Sequence, residues 1–307
     1  MSKRKISKRS AIALLITVFF IIAITLSLGI ALKQVKDASF EVEREHFMLQ
    51  SAQILDDVST ILKSSPMLDQ VNSPESFFLF LSEVSFIPFQ SSGLKVGIEI
   101  TSARSKVNIN TLRDANVSNP QKTQALERYL SFYGISNVYV DILLDGMSGI
   151  KEDNSYNSAL FNENPYLFRE YISSQTQLEE LNKFYVQNTH ENAITKVDFQ
   201  NTFAFSKPQA YKIDLNYATK ESWRLMLGCD ELRAEELALG GGTYLKSEDV
   251  TALLSSDELV ALERFETSVF EPYLDVKVEI SQNDQSAFIR FEYDIKTKKG
   301  TNFVYEI

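Results

Sequence analysis

The sequence predicts an α+β protein in which a long N-terminal helix packs on an antiparallel sheet and a large helical region is inserted between two groups of strands. Three observations predict it. Residues 11–32 are uncharged and free of proline, and an apolar helical pattern continues from them as far as Pro66. Residues 94–110 and 274–307 alternate apolar with polar side chains and are rich in β-branched types. Between them, from about 112 to 266, apolar residues recur at helical spacing and the segments stop at glycines.

The 307 residues carry 31 Lys and Arg against 41 Asp and Glu, a net charge of −10. Five of the basic residues (Lys3, Arg4, Lys5, Lys8, Arg9) precede position 11 with no acid among them, so residues 11–307 hold 26 basic against 41 acidic groups, or −15. An acidic body argues against a nucleic-acid partner, because a phosphate backbone is bound by clustered Lys and Arg. One cysteine, Cys229, excludes an intrachain disulfide, and with only His46 and His190 beside it a zinc site would draw mostly on carboxylates.

At about 1.5 Å per residue the run 11–32 spans roughly 33 Å as a helix, enough for a hydrocarbon core of about 30 Å. The basic flank places the N-terminus in the cytoplasm and the body outside, with a single pass through a membrane. A cleaved secretory signal shares a basic region followed by an apolar stretch, but its apolar part is about 7–15 residues long. Val35, Val42 and Leu49 are seven apart, and Leu55, Val58, Ile61 and Leu62 extend an apolar face. One helix of about 50 residues follows from this pattern; a plain anchor with a separate juxtamembrane helix or coiled coil fits it as well.

Beyond Pro66, residues 75–90 form a short helix or a strand, and Ser91-Ser92-Gly93 breaks the pattern. Leu94–Thr101 and Lys106–Asn110 alternate and predict a hairpin, turned at 102–105 and packed on the long helix. Helices are expected over 121–133, 138–144 and 176–185. A polar loop over 145–158 and a glycine stop at Gly134 separate them. A second helical unit starts after the extended stretch Tyr211–Asn216. Thr219 opens a helix closed by Gly228, another covers 230–239 before Gly240-Gly241-Gly242, and 247–254 and 256–265 complete a small bundle. Its acidic residues (Glu231, Glu235, Glu236, Glu248, Asp249) make it a packing module and not a DNA reader. Alternation at 274–280, 287–295 and 302–307 returns to strands that complete the sheet begun at 94.

No nucleophile triad, phosphate-binding loop, dinucleotide fingerprint or metalloprotease helix is present. His46 and His190 read as solvated, and Cys229 as a structural thiol. Asp141, Asp145, Glu152 and Asp153 gather around a glycine-containing loop; hard oxygen ligands at such spacing suit calcium, and the alternative is a solvated acidic loop.

Several segments together resemble a known family. They are Arg9-Ser10-Ala11-Ile12-Ala13-Leu14-Leu15, Lys106-Val107-Asn108-Ile109-Asn110-Thr111-Leu112, Tyr139-Val140-Asp141-Ile142-Leu143-Leu144-Asp145, Asn164-Pro165-Tyr166 with Gln177–Leu181, and Ile213-Asp214-Leu215-Asn216-Tyr217-Ala218-Thr219. The first three and the last are similar to the processing site, N-x-N-x-L strand, acidic helix end and second repeat of the type II secretion minor pseudopilins of the protein K kind, and the fourth follows in the family's order. The resemblance implies a pilin-like fold with SAM-like or helix-hairpin-helix-like inserts. It divides the chain into a basic leader (1–11), the two halves of the helix (12–32 and 33–65), a first part of the sheet (66–111), two helical inserts (112–208 and 209–266) and closing strands (267–307).

The resemblance further implies cleavage by a prepilin peptidase at Ser10, Ala11 or Ile12, with Ser10 or Ala11 where the family usually has glycine. It implies no catalysis and no cofactor. The implied partners are other minor pseudopilins, the major pseudopilin and the inner membrane. The fifth mature residue, Ile16 or Leu15, is apolar where most pilins carry a glutamate. A charge in lipid is tolerated only when paired, so its absence suits a subunit with no neighbour above it. Asp214 and Tyr217 stand where the family's second repeat has asparagine and threonine. A related DNA-uptake or type IV pilus, and a single-pass sensor or ligand-binding protein, are the alternative functions.

Overall fold

A computed structural model describes residues 33, 34, 36, 41–91, 93–114, 117–207 and 211–306. Helix α1 occupies 41–64, and 33, 34 and 36 are helical as well. Short α2 (Pro66–Asp69) begins at the proline that stops α1, and α3 (Pro74–Val84) begins in a capping box of Ser73 and Ser76 with Pro74 in its first turn. Next come β1 (Phe86–Ser91) and β2 (Leu94–Ser102), so the ambiguous stretch 75–90 is a helix followed by a strand. After β3 (Val107–Asn108), β4 (Arg113–Asp114) and β5 (Val117–Ser118), the first insert contains α4 (Pro120–Ser131), α5 (Val138–Gly146), α6 (Leu160–Glu163), α7 (Gln175–Thr189) and α8 (Phe199–Thr202) and closes on β6 (Phe203–Ala204). The second opens on β7 (Ile213–Asp214), runs through α9 (Lys220–Leu227), α10 (Glu231–Leu239), α11 (Ser247–Thr251) and α12 (Ser256–Leu262), and closes on β8 (Thr267–Ser268). Strands β9 (Tyr273–Gln282), β10 (Gln285–Asp294) and β11 (Lys299–Glu306) end the described chain.

The main sheet is antiparallel in the order β1-β2-β9-β10-β11, so the closing strands do complete the sheet begun at 94. Its hairpin differs from the sequence expectation. The partner of β2 is β1, with Phe86 opposite Glu99, and residues 107–108 leave the sheet to pair in parallel with 203–204. The reason is burial: Val107, Ile109 and Leu112 are all fully enclosed in the core of the inserts and cannot also cover the sheet.

Two cores result. One joins Phe47, Val58 and Leu62 of α1 and Phe77, Phe80 and Leu81 of α3 to the inward residues of the sheet, among them Val96, Ile100, Val276, Val278, Ile289 and Phe291. The other is shared by the two inserts and includes Tyr129, Tyr139, Leu143, Leu181, Tyr185, Trp223 and Met226. The helices start where oxygen-bearing caps meet the first free N–H groups: Asn119 for α4, Ser174 for α7, Thr219 for α9, Asp230 for α10 and Ser255 for α12. Gly228 ends α9 at φ +62, and a Cβ there would lie 2.0 Å from the Arg128 guanidinium, which donates to the Leu227 carbonyl.

Both inserts leave the sheet at one end. Lys298, between β10 and β11, donates to the Lys63 carbonyl at 3.3 Å and pairs with Asp69 at 2.6 Å, so that loop lies beside the C-terminal end of α1. Ser102 opposite Leu274 and Asp294 opposite Tyr273 are at the same end of their strands. The inserts therefore stem from a point about 35 Å along the helix from residue 41. Among the described residues no helix is long and apolar enough to cross a membrane; the apolar run 11–32 lies outside them.

Candidate functional site: an outward helix stripe and two insert joints

Helix α1 has two apolar sides. Phe47, Val58 and Leu62 face the sheet and are buried, with Ser51 between them donating to the Phe47 carbonyl at 2.9 Å. At 100° per residue Val42 and Leu49 lie about 200° round from Phe47, and they are 64% and 71% exposed. The single apolar face expected from the sequence is thus divided: Val58 and Leu62 turn inward with half-buried Leu55, Val42 and Leu49 turn outward, Ile61 is exposed, and Val35 lies outside the described residues. Phe47, the inward anchor, follows the i, i+4, i+11 spacing with Ser51 and Val58 but is obscured in the sequence by the charged run around it. Nothing among the described residues covers this outward side.

The inserts are held by two joints of the same design. In the first, Asn108 Oδ1 accepts from Asn110 N–H at 3.2 Å. Asn110, itself buried, donates to the carbonyls of Ile172 (2.9 Å) and Ser206 (3.0 Å) and accepts from Ile172 N–H (2.8 Å). In the second, Asp214 Oδ1 accepts from Asn216 N–H at 3.0 Å. Asn216 donates to the carbonyls of Tyr244 and Val269, both at 2.8 Å, and accepts from Gly242 N–H (3.0 Å) and Tyr244 N–H (2.9 Å). In each joint the entry strand pairs in parallel with the exit strand, β3 with β6 and β7 with β8. One asparagine thus satisfies main-chain groups that a buried loop crossing leaves without ladder partners.

Between the joints sits Arg104, buried with its guanidinium over the rings of Tyr211 (4.4 Å) and Tyr273 (4.0 Å) and paired with Glu292 at 2.8 Å. Its own carbonyl accepts from Asp214 N–H at 2.8 Å, and the Tyr211 hydroxyl donates to the Lys106 carbonyl at 2.7 Å. Ser206 donates to the other oxygen of Glu292. Burial, with Arg290 and Lys277 nearby, lowers the Lys106 amine to about 8. Burial raises the Asp214 carboxyl to about 7, although Asn216 and Glu271 donate main-chain hydrogen bonds to it.

The calcium candidates are not brought together. Asp145 is buried in the last turn of α5, and its oxygens accept from Asn157 N–H, Ser158 N–H and the Ser158 hydroxyl at 2.7–3.0 Å. Asp153 accepts from Ser155. Among the described residues no group of three or more His, Cys, Asp or Glu could hold a metal ion. His46 is exposed on α1, and His190 closes α7 in the left-handed conformation. Cys229 is half-buried, and burial pushes its thiol up to about 11, which keeps it unreactive. Ser10, Ala11, Ile12, Leu15 and Ile16 lie outside the described residues.

The chain is thus a helix laid on an antiparallel sheet with two helical inserts stemming from one end of it, and Arg104, Asn110, Asp214 and Asn216 are buried where those inserts join. The fold is similar to that of a chain in the crystal structure of the GspK–GspI–GspJ complex from the type 2 secretion system of enterotoxigenic Escherichia coli. The TM-score is 0.57 at 12% sequence identity, over 87% of this chain and 96% of that one. No family model matches the sequence, and no curated protein matches it.

Proposed function

We propose that the chain is a minor pseudopilin of the protein K kind, a non-enzymatic component at the tip of a type II secretion pseudopilus that serves protein export across the outer membrane. The observation that carries this is the likeness to a chain of the GspK–GspI–GspJ complex, which spans nearly all of that chain and most of this one. In this reading the leader ending at Ser10 or Ala11 is removed by a prepilin peptidase, residues 12–32 sit in the inner membrane and the body is periplasmic. The outward Val42 and Leu49 then meet the helices of other minor pseudopilins, and below them the major pseudopilin continues the fibre. Both inserts lie at the end of the sheet beside the C-terminal end of α1, which in this reading faces away from the membrane. Their bulk there blocks the addition of a further subunit.

The test is the N-terminal mass of the protein from cells with and without a prepilin peptidase. Loss of the leader only in the presence of the peptidase is the expected result. An intact N-terminus in both strains sinks the reading in favour of a single-pass receptor. Co-purification with the partner minor pseudopilins checks the helix stripe, and Leu49→Lys is expected to weaken it by about tenfold, a loss of about 1.4 kcal/mol.

A further inference from the structure

The geometry points to a preformed docking knob on the first insert, built by the loops 147–158 and 164–174, for a protein partner that offers an apolar pocket ringed by basic side chains. Tyr166 is 100% exposed, Ile150 84% and Phe168 45%. Together they offer roughly 400 Å² of apolar surface, at the scale where exposed patches become interaction sites. The three side chains spring from neighbouring backbone. Gly149 N–H, just before Ile150, donates at 2.6 Å to the carbonyl of Arg169, just after Phe168.

The platform beneath them is held rigidly. The Tyr156 hydroxyl donates to the Gly149 carbonyl at 3.1 Å and accepts from Lys151 N–H and Arg169 Nη1, both at 3.0 Å. Arg169 Nη2 donates to the Pro165 carbonyl at 2.5 Å, and its guanidinium lies 4.0 Å over the Phe161 ring. Phe168 meets Tyr171 edge-on at 5.1 Å. A loop pinned at this many points loses little freedom on binding, which is what a preorganised interface needs. Exposed tyrosine and phenylalanine on such a loop are the residue types that carry interface energy.

Charge selects the partner. Lys151 and Arg169 are turned inward, one onto Ser155 and Tyr156 and the other onto Tyr156 and Phe161. Glu152, Asp153, Glu163 and Glu170 remain exposed around the aromatic tip. An acidic rim repels an anionic lipid surface and complements a basic protein surface.

The secretion arm of the test rests on the proposed function, and the cross-linking arm does not. Benzoylphenylalanine at position 166 of the full-length chain should give one discrete adduct in cells with a protein other than the minor pseudopilins, and Glu163→Lys with Glu170→Lys should abolish it. Ile150→Ser with Tyr166→Ser should lower secretion by at least about tenfold while co-purification with the minor pseudopilins and the fluorescence of buried Trp223 stay unchanged. Loss of co-purification by the wild-type chain would count against the proposed function, leaving the adduct to decide on the knob. An adduct indifferent to the charge reversals, no adduct at all, or Tyr166-dependent binding to phosphatidylethanolamine–phosphatidylglycerol vesicles would overturn the knob as a protein-docking site.

Discussion

The two joints differ in the main-chain group that faces their first residue, and that group accounts for a difference in sequence. In the first, the main-chain group facing residue 108 is the Lys207 carbonyl, and Asn108 Nδ2 points a hydrogen at it across 3.5 Å. In the second, the group facing residue 214 is the Glu271 N–H, which donates to Asp214 Oδ2 at 2.9 Å. A side-chain amide offers one acceptor and one donor and suits the first joint. Two acceptors are needed in the second, and only a carboxyl group provides them. The aspartate that departs from the resemblance at position 214 is therefore fixed by the polarity of a single neighbouring main-chain group.

A first experiment breaks what the joints share. Arg104→Ala removes the buried cation between Tyr211 and Tyr273 and leaves the half-buried Glu292 with Ser206 but no counter-charge, at an expected cost of about 3 kcal/mol. Urea unfolding followed by Trp223 fluorescence measures it, and a loss under about 1 kcal/mol would mean that the pair behaves as a surface one. The next experiment separates the joints. Asn216→Ala strands four main-chain groups and Asn110→Ala three. Each should cost about 2–4 kcal/mol, with Asn216 the dearer by about 1 kcal/mol. Equal losses would show that neighbouring water replaces the extra bond in the second joint.

The helices were legible in the sequence because their signals are local: Asn119 before Pro120, Thr219 three residues ahead of Ser222, Gly228 at a left-handed stop. Strands β9 and β10 were legible because one face of each is buried and the alternation survives. What failed was partnership. Alternation at 106–110 fits equally a strand of the main sheet and a segment buried in another core, and only the burial of Val107 and Ile109 decides between them. The same limit applies to α1, where apolar spacing does not tell the side facing the sheet from the side facing outward. The order N-x-N was visible, whereas the clamping of distant carbonyls was not, because those groups come from residues 62–96 positions away for Asn110. Nor does a sequence pattern distinguish the fully exposed Tyr166 from the buried Tyr139.

The finest test of the comparison is Asp214→Asn, read across pH. In the unfolded chain this carboxyl titrates near the ordinary aspartate value of about 3.9, whereas burial holds it at about 7 in the folded protein. A raised folded value means that the folded state keeps the proton longer. The stability it contributes is fully present below about pH 4 and is lost progressively as the pH rises to about 7. At pH 5 the asparagine variant should be the less stable by about 1 kcal/mol, because its amide turns an N–H toward the Glu271 N–H and forfeits one bond. It has no proton to lose, so its curve stays flat through the interval in which the wild type declines by about 1.4 kcal/mol per pH unit, and the difference should shrink and change sign at about pH 6. Parallel stability curves for the two proteins between pH 4 and 8 would show that the two main-chain donors outweigh burial, and that Asp214 is held as a carboxylate throughout.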